Sequence, residues 1–229
     1  MRQAGRLRRL VVFDIDDTLY LERDYVRSGF AAVGAWALAE LGAADLGDRA
    51  WAAFEAGVRG RILDEALAAC GVPANGQLVP QLVDVYRSHT PTIDLLDDVR
   101  AWLSDRPADV ALAVVTDGPT ASQRAKAAAL GLEGWADPVI VTEELGPGRC
   151  KPHPAAFECV EAAVGLAGAA CAYVADNPTK DFGGPRSRGW RTVRVRREGS
   201  LHAALESGGD VDAEIMDFAA LDGALGWWA

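Results

Sequence analysis

Leu10-Val11-Val12-Phe13 constrains the chain most: four apolar residues, β-branched in the middle, that stop abruptly at Asp14. A run that short and that uniformly apolar reads as a strand buried on both faces. Ala111–Val115, Pro138–Val141, Ala172–Ala175 and Thr192–Val195 repeat the pattern, with helical periodicity between most of them. Ala121–Leu130 is one such helix; Ala155–Val164 is another, with Phe157, Val160 and Val164 on one face and Pro154 suited to its first turn. Alternating strands and helices predict a mostly parallel sheet covered on both faces.

One stretch breaks the alternation. From about Glu22 to His89 there is helical patterning without a convincing strand. Val26, Phe30, Val33, Ala37 and Leu41 share a face, with Gly42 as terminator; Ile62, Leu63, Ala66 and Leu67 mark a later helix that Gly71 and Pro73 end. An inserted helical domain accounts for about seventy such residues better than a loop does. The expected organisation is a three-layer Rossmann-like α/β core from residues 1–18 and 92–229 and a helical cap from 19–91. Hinges are expected near Tyr20 and Thr90-Pro91, so that closing the cap would exclude water.

With 229 residues the chain can bury a sizeable core. Its formal net charge of −10 argues against a nucleic-acid polymer as partner, since phosphate backbones are held by clustered Lys and Arg. The basic start, Met1 to Leu10, lacks the apolar stretch of a signal peptide, and no run approaches a membrane span, so a cytoplasmic location is expected. Cys70, Cys150, Cys159 and Cys171 form no C-x-x-C pair and are expected to be small buried residues in a reducing compartment. Trp36, Trp51 and Trp102 sit in helical patterns as packing residues, while Trp227-Trp228 would dock on the core or on a second subunit.

The chemistry gathers at strand ends. Asp14-Ile15-Asp16-Asp17-Thr18 follows the first strand, where ligands bind in open α/β sheets. Two carboxylates directed to one side repel each other unless a cation or a shared proton relieves them, and magnesium prefers such oxygen ligands. Thr116-Asp117-Gly118 brings a hydroxyl and turn N–H groups suited to phosphate oxygens; Lys151-Pro152 brings a cation before a helix; Asp176-Asn177-Pro178-Thr179-Lys180-Asp181 brings two more carboxylates. His153 is read as a surface or capping residue, and Asp17 as pointing away from Asp16.

This ordered set, D-x-D-x-T, a strand-end threonine, K-P and a two-aspartate motif, resembles the haloacid dehalogenase-like superfamily over nearly the whole chain, helical insertion included. The resemblance implies a phosphatase that forms an aspartyl phosphate: Asp14 as nucleophile, Asp16 as acid and base, and Thr116, Asp117 and Lys151 on the phosphoryl group. It also implies Mg2+ on Asp14, Asp176 and the backbone carbonyl of Asp16, with Asp181 supporting the metal or Lys151. Ala175 stands where glycine often precedes the last motif. Dehalogenases do not need the second acid, so Asp16 favours phosphate transfer to or from a small phosphorylated metabolite. Tyr20, Tyr25 and Arg59 are the residues expected to select that substrate from the cap. A phosphomutase is the nearest alternative; a receiver-like phosphoacceptor module is a more distant one.

Overall fold

The computed structural model describes residues 8–74 and 76–227, so Met1–Leu7 and Trp228 of the segments named above lie outside the described residues. The chain divides into two compact units: residues up to Glu22 together with those from Asp94 onward, and Arg23–Ile93. Leu19, Tyr20 and Leu21 therefore belong to the α/β unit.

In that unit β1 (Arg9–Phe13), β2 (Val110–Thr116), β3 (Val139–Val141), β4 (Cys171–Ala175), β5 (Arg191–Val195) and β6 (Ala213–Ile215) form one sheet in the order β3-β2-β1-β4-β5-β6. Every pairing is parallel; Val11 stands opposite Leu112 on one side and Ala172 on the other. The order reverses at β1, whose two neighbours connect outward in opposite directions. That leaves a crevice beyond the carboxyl ends of β1, β2 and β4.

The helices of this unit are α5 (Asp97–Asp105), α6 (Thr120–Ala129), α7 (Ala155–Val164), α8 (Gly183–Ser187) and α9 (Leu221–Leu225), numbered after the four of the helical unit. The period-2 alternation of β1 distributes its side chains between two layers. Leu10 and Val12 pack with Phe157 and Val160 of α7, together with Tyr173 and Trp190. Phe13 turns the other way, into an aromatic cluster with Trp102 of α5, Trp135 and Phe218. The guanidinium of Arg9, in β1, lies over the Trp227 ring, 5.1 Å from its centroid.

The helical unit contains α1 (Glu22–Leu41), α2 (Leu46–Glu55), α3 (Ile62–Ala69) and α4 (Leu78–Ser88). Val26, Phe30, Val33 and Ala37 of α1 form its core with Leu46, Ala50, Phe54, Leu67 and Leu82. Leu41, expected on that face, is exposed, because α1 ends there: Gly42 turns the chain with φ +68° and donates to the Leu38 carbonyl. The crossing of α1 and α2 requires glycine at 47, where a Cβ would meet the Phe30 carbonyl oxygen at 2.5 Å and Gly34 Cα at 2.9 Å.

The cysteine expectation is corrected. Cys171 in β4 is buried, but Cys150 and Cys159 are exposed and Cys70 is half-buried. Cys159 falls on α7 away from Phe157 and Val160, which take the inner face. Among the described residues no helix is long and apolar enough to cross a membrane.

Candidate active site

Asp14 is the first residue past β1, and its N–H donates to the Val174 carbonyl of β4 at 2.9 Å, so the sheet itself fixes where its carboxylate starts. Thr116 ends β2 on one side and Asp176 follows β4 on the other. All three are buried. Lys151 Nζ lies 2.9 Å from Asp14 and 2.7 Å from Asp181, with its side chain fully enclosed. It also donates to the Tyr173 hydroxyl, which in turn donates to the Val115 carbonyl. Burial opposes charge on this lysine, but Asp14 and Asp181 outweigh it and hold the ammonium well above its ordinary range.

Three carboxylates against one cation leave excess negative charge. Burial, offset in part by Lys151 and reinforced by Asp181, pushes Asp14 up to about 6. Asp176 is pushed up to about 9 by burial and by Asp14 and Asp181. One oxygen each from Asp14, Asp176 and Asp181 come within 4.8 Å of one another. Asp176 Oδ2 is buried and has no hydrogen-bond partner among the described residues; neither has the Thr116 hydroxyl. A buried, oxygen-only donor set with an unpartnered carboxylate oxygen and too little positive charge fits a small hard dication. The Thr116 hydroxyl, equally unpartnered, is free to meet an oxyanion.

Asp16 goes elsewhere. Lys126 Nζ, on α6, lies 2.7 and 2.9 Å from its two oxygens; Gln123 Nε2 reaches Oδ2 at 3.1 Å; and the Tyr20 hydroxyl donates to Oδ1. Burial alone would raise this carboxyl, but Lys126 and the hydrogen bonds outweigh it and keep Asp16 below its ordinary value. Glu22, nearby, is pushed up to about 7 by burial and by Asp16. Asp17 turns away, as expected. Its backbone is left-handed at φ 52°, and its carboxylate accepts from the N–H groups of Glu22 and Leu201, tying the turn to the segment after β5.

Asp117 uses its carboxylate for loop construction: it accepts from the Thr142 hydroxyl and from the Lys151 N–H at 3.1 Å, with Lys180 at 3.7 Å. A role on phosphate would therefore fall to its backbone N–H. Asn177 donates its N–H to Asp181 Oδ2, closing the last motif on itself. Arg194, fully buried in β5, donates to the Asp176 carbonyl at 3.0 Å and steadies that strand end beside Ala175. His153 accepts the Ala155 N–H and so caps α7.

The three residues assigned to the cap separate. Tyr20 is fully buried in the α/β unit on Asp16. Tyr25 is buried within the helical unit against Tyr86 and His89. Arg59 is exposed; it lies over the Phe54 ring and donates to the carbonyls of Phe54 and Val58. Sequence reasoning did not single out Lys126 and Gln123. Their signal was present: two long polar side chains at i and i+3 on a helix otherwise rich in alanine.

A family model described as haloacid dehalogenase-like hydrolase matches residues 8–187. Phosphoserine phosphatase of Thermus thermophilus is 34% identical over 153 residues, 66% of this chain and 59% of that protein. Glyceraldehyde 3-phosphate phosphatase of Methanocaldococcus jannaschii is 34% identical over 113 residues, 49% and 46% respectively. The chain thus spans about half the length of the curated relatives it matches. Among solved structures, a 2-haloacid dehalogenase from Pseudomonas syringae pv. tomato is 27% identical with a TM-score of 0.64, covering 96% of this chain and 99% of that one.

Proposed function

The chain belongs to the haloacid dehalogenase-like hydrolases, and on that premise we propose that it is a magnesium-dependent phosphatase of small phosphate monoesters working through an aspartyl phosphate. The observation that carries this reading is the Asp14–Lys151 pair at the sheet's point of reversal, with the Thr116 hydroxyl and Asp176 Oδ2 still unpartnered beside it. Asp14 attacks phosphorus, the ester oxygen leaves, and water then opens the acyl phosphate, so that one difficult displacement becomes two easier ones. Lys151, the Thr116 hydroxyl and the turn N–H groups at Asp117 and Gly118 hold the transferring oxygens, where charge compensation is the main task. Asp16, which Lys126 keeps ionised in the free protein, passes to the leaving oxygen a proton that the phosphate monoester's monoanion brings in, and then takes one from the attacking water. Magnesium on Asp14, Asp176 and the Asp16 carbonyl, with Asp181 supporting, would supply positive charge to the phosphoryl group. The two phosphatases similar to this chain support the reaction class.

The dehalogenase similarity suggests a second reading, displacement of halide from a 2-haloalkanoic acid by Asp14. Asp16 with its three donors opposes it, since a halide leaves without a proton. Two assays decide. A panel of phosphorylated metabolites with magnesium should yield multiple turnovers of phosphate release, and 2-chloropropionate should yield no chloride. Asp16→Asn should slow an alkyl phosphate by roughly a hundredfold or more and an aryl phosphate much less in the first step, because an aryl oxide leaves without help. Chloride release without phosphatase turnover would replace this reading with the second.

A further inference from the structure

We propose that Lys126, with Gln123, is the positioning residue of the acid–base carboxylate: α6 fixes both oxygens of Asp16 in one orientation and couples that orientation to the phosphate-binding turn. The inference rests on the reading of Asp16 given above. Asp16 lies on the turn past β1, its backbone bridged to that of Tyr20. Its two oxygens are fixed by side-chain donors. Lys126 bridges both at 2.7 and 2.9 Å, from a side chain only 5% exposed. Gln123, one helical turn earlier, reaches Oδ2 with the same amide nitrogen that donates to the Asp117 carbonyl at 2.8 Å. A Cβ on Gly118 would sit 2.6 Å from that nitrogen and displace the Gln123 amide, and the backbone there, at φ +140°, favours glycine. Arg124, between the two, points outward to Glu144. The segment that begins at Thr116 thus carries the phosphate turn at its start and the Asp16 clamp one to two turns into its helix. A carboxylate that must serve a leaving oxygen and then a water at one place gains from being held to a fraction of an ångström.

A double-mutant cycle tests this with 4-nitrophenyl phosphate and magnesium. Lys126→Met should lower kcat about tenfold to a hundredfold, the usual range for losing a partner that orients a functional ligand, with KM changed no more than about twofold. It should also show a burst of nitrophenol, because water activation suffers more than aryl oxide departure. Lys126→Arg should recover most of the loss. Asp16→Asn/Lys126→Met should be no slower than Asp16→Asn alone, since a residue acting through Asp16 has nothing further to lose. Additive losses, or full activity in Lys126→Met, would overturn the proposal while leaving the assignment of Asp16 intact. Full activity in Asp16→Asn would instead remove that assignment and this inference with it. If Lys126→Met does not fold, Gln123→Met completes the same cycle with the same expected non-additivity.

Discussion

The two units of this chain are built on opposite terms. The α/β unit encloses Asp14, Asp17, Asp176, Asp181, Lys126, Lys151, Arg194 and Arg197, while among the described residues of the helical unit no Asp, Glu, Lys or Arg is buried. The helical unit keeps its charges outside, as in the Arg23–Glu55 pair, whose side chains are 40% and 46% exposed. Burying a charge is costly unless it is paired, and even paired charges seldom stabilise more than an apolar replacement. The interior of the helical unit follows that rule among the described residues. The α/β unit departs from it around the carboxyl ends of β1, β2, β4 and β5, where the buried carboxylates, lysines and arginines gather.

The contrast is most severely tested at Asp14. On the proposed mechanism Asp14→Asn removes the attacking anion, so it should lower kcat by about four orders of magnitude or more. The same change removes a carboxyl that its surroundings already push up to about 6, so thermal stability of the metal-free protein should hold or rise. Loss of both would mean that Asp14 supports the fold, and the contrast between the units would fail.

On the same proposed mechanism, magnesium gives the next largest effect. Chelation should abolish turnover and added magnesium should restore it, with Asp176→Ala weakening metal binding more than Asp181→Ala. The pH dependence follows from the direction of the shifts. Asp176, raised from 3.8 to about 9, holds its proton more tightly folded than unfolded. Its contribution to stability is complete below pH 3.8 and is lost as pH rises through 9. Metal-free protein should therefore lose stability between neutral pH and pH 9, and Asp176→Asn should lose less. Denaturant unfolding at several pH values, with and without magnesium, reads this directly; a metal-free wild type with the same pH slope as Asp176→Asn would show that Asp176 is not held protonated.

In the helical unit the expected effects are on stability. Leu82→Ala, at a fully buried position, should cost about 2–5 kcal/mol by cavity formation. Gly47→Ala should cost about 1–3 kcal/mol, because its methyl would press on the backbone of α1. Smallest of all, Arg23→Ala should change stability by less than about 1 kcal/mol, since both partners of its ion pair are well exposed. A large loss in Arg23→Ala would sharpen the comparison in an unexpected direction, by showing an energetically important charge in the helical unit.

Much of this was legible in the sequence, for reasons tied to particular residues. Five of the six strands announce themselves as short apolar or β-branched runs; β6, Ala213-Glu214-Ile215, does not, because three residues with a central glutamate are too short for either period to register. Helix α7 was legible to its ends because Pro154 opens it and Gly165, at φ +75°, closes it. The exposed cysteines and the buried Tyr20 were not legible, since which side of a turn or helix faces inward depends on its neighbours.

The sequence by itself determined the order of strands and helices, the interruption between Glu22 and His89, and the four polar motifs at strand ends, because these rest on local period and on residues that stand next to one another in the chain. Only the tertiary structure decided what the charges do. It separated Asp14 from Asp16, two residues apart, by giving one to Lys151 and the other to Lys126, from segments 137 and 110 positions away. Parallel pairing brings the ends of β1, β2 and β4 side by side, and α6, which follows β2, places its buried face on Asp16. Pairings of that kind depend on sheet order and helix rotation, which no local pattern encodes.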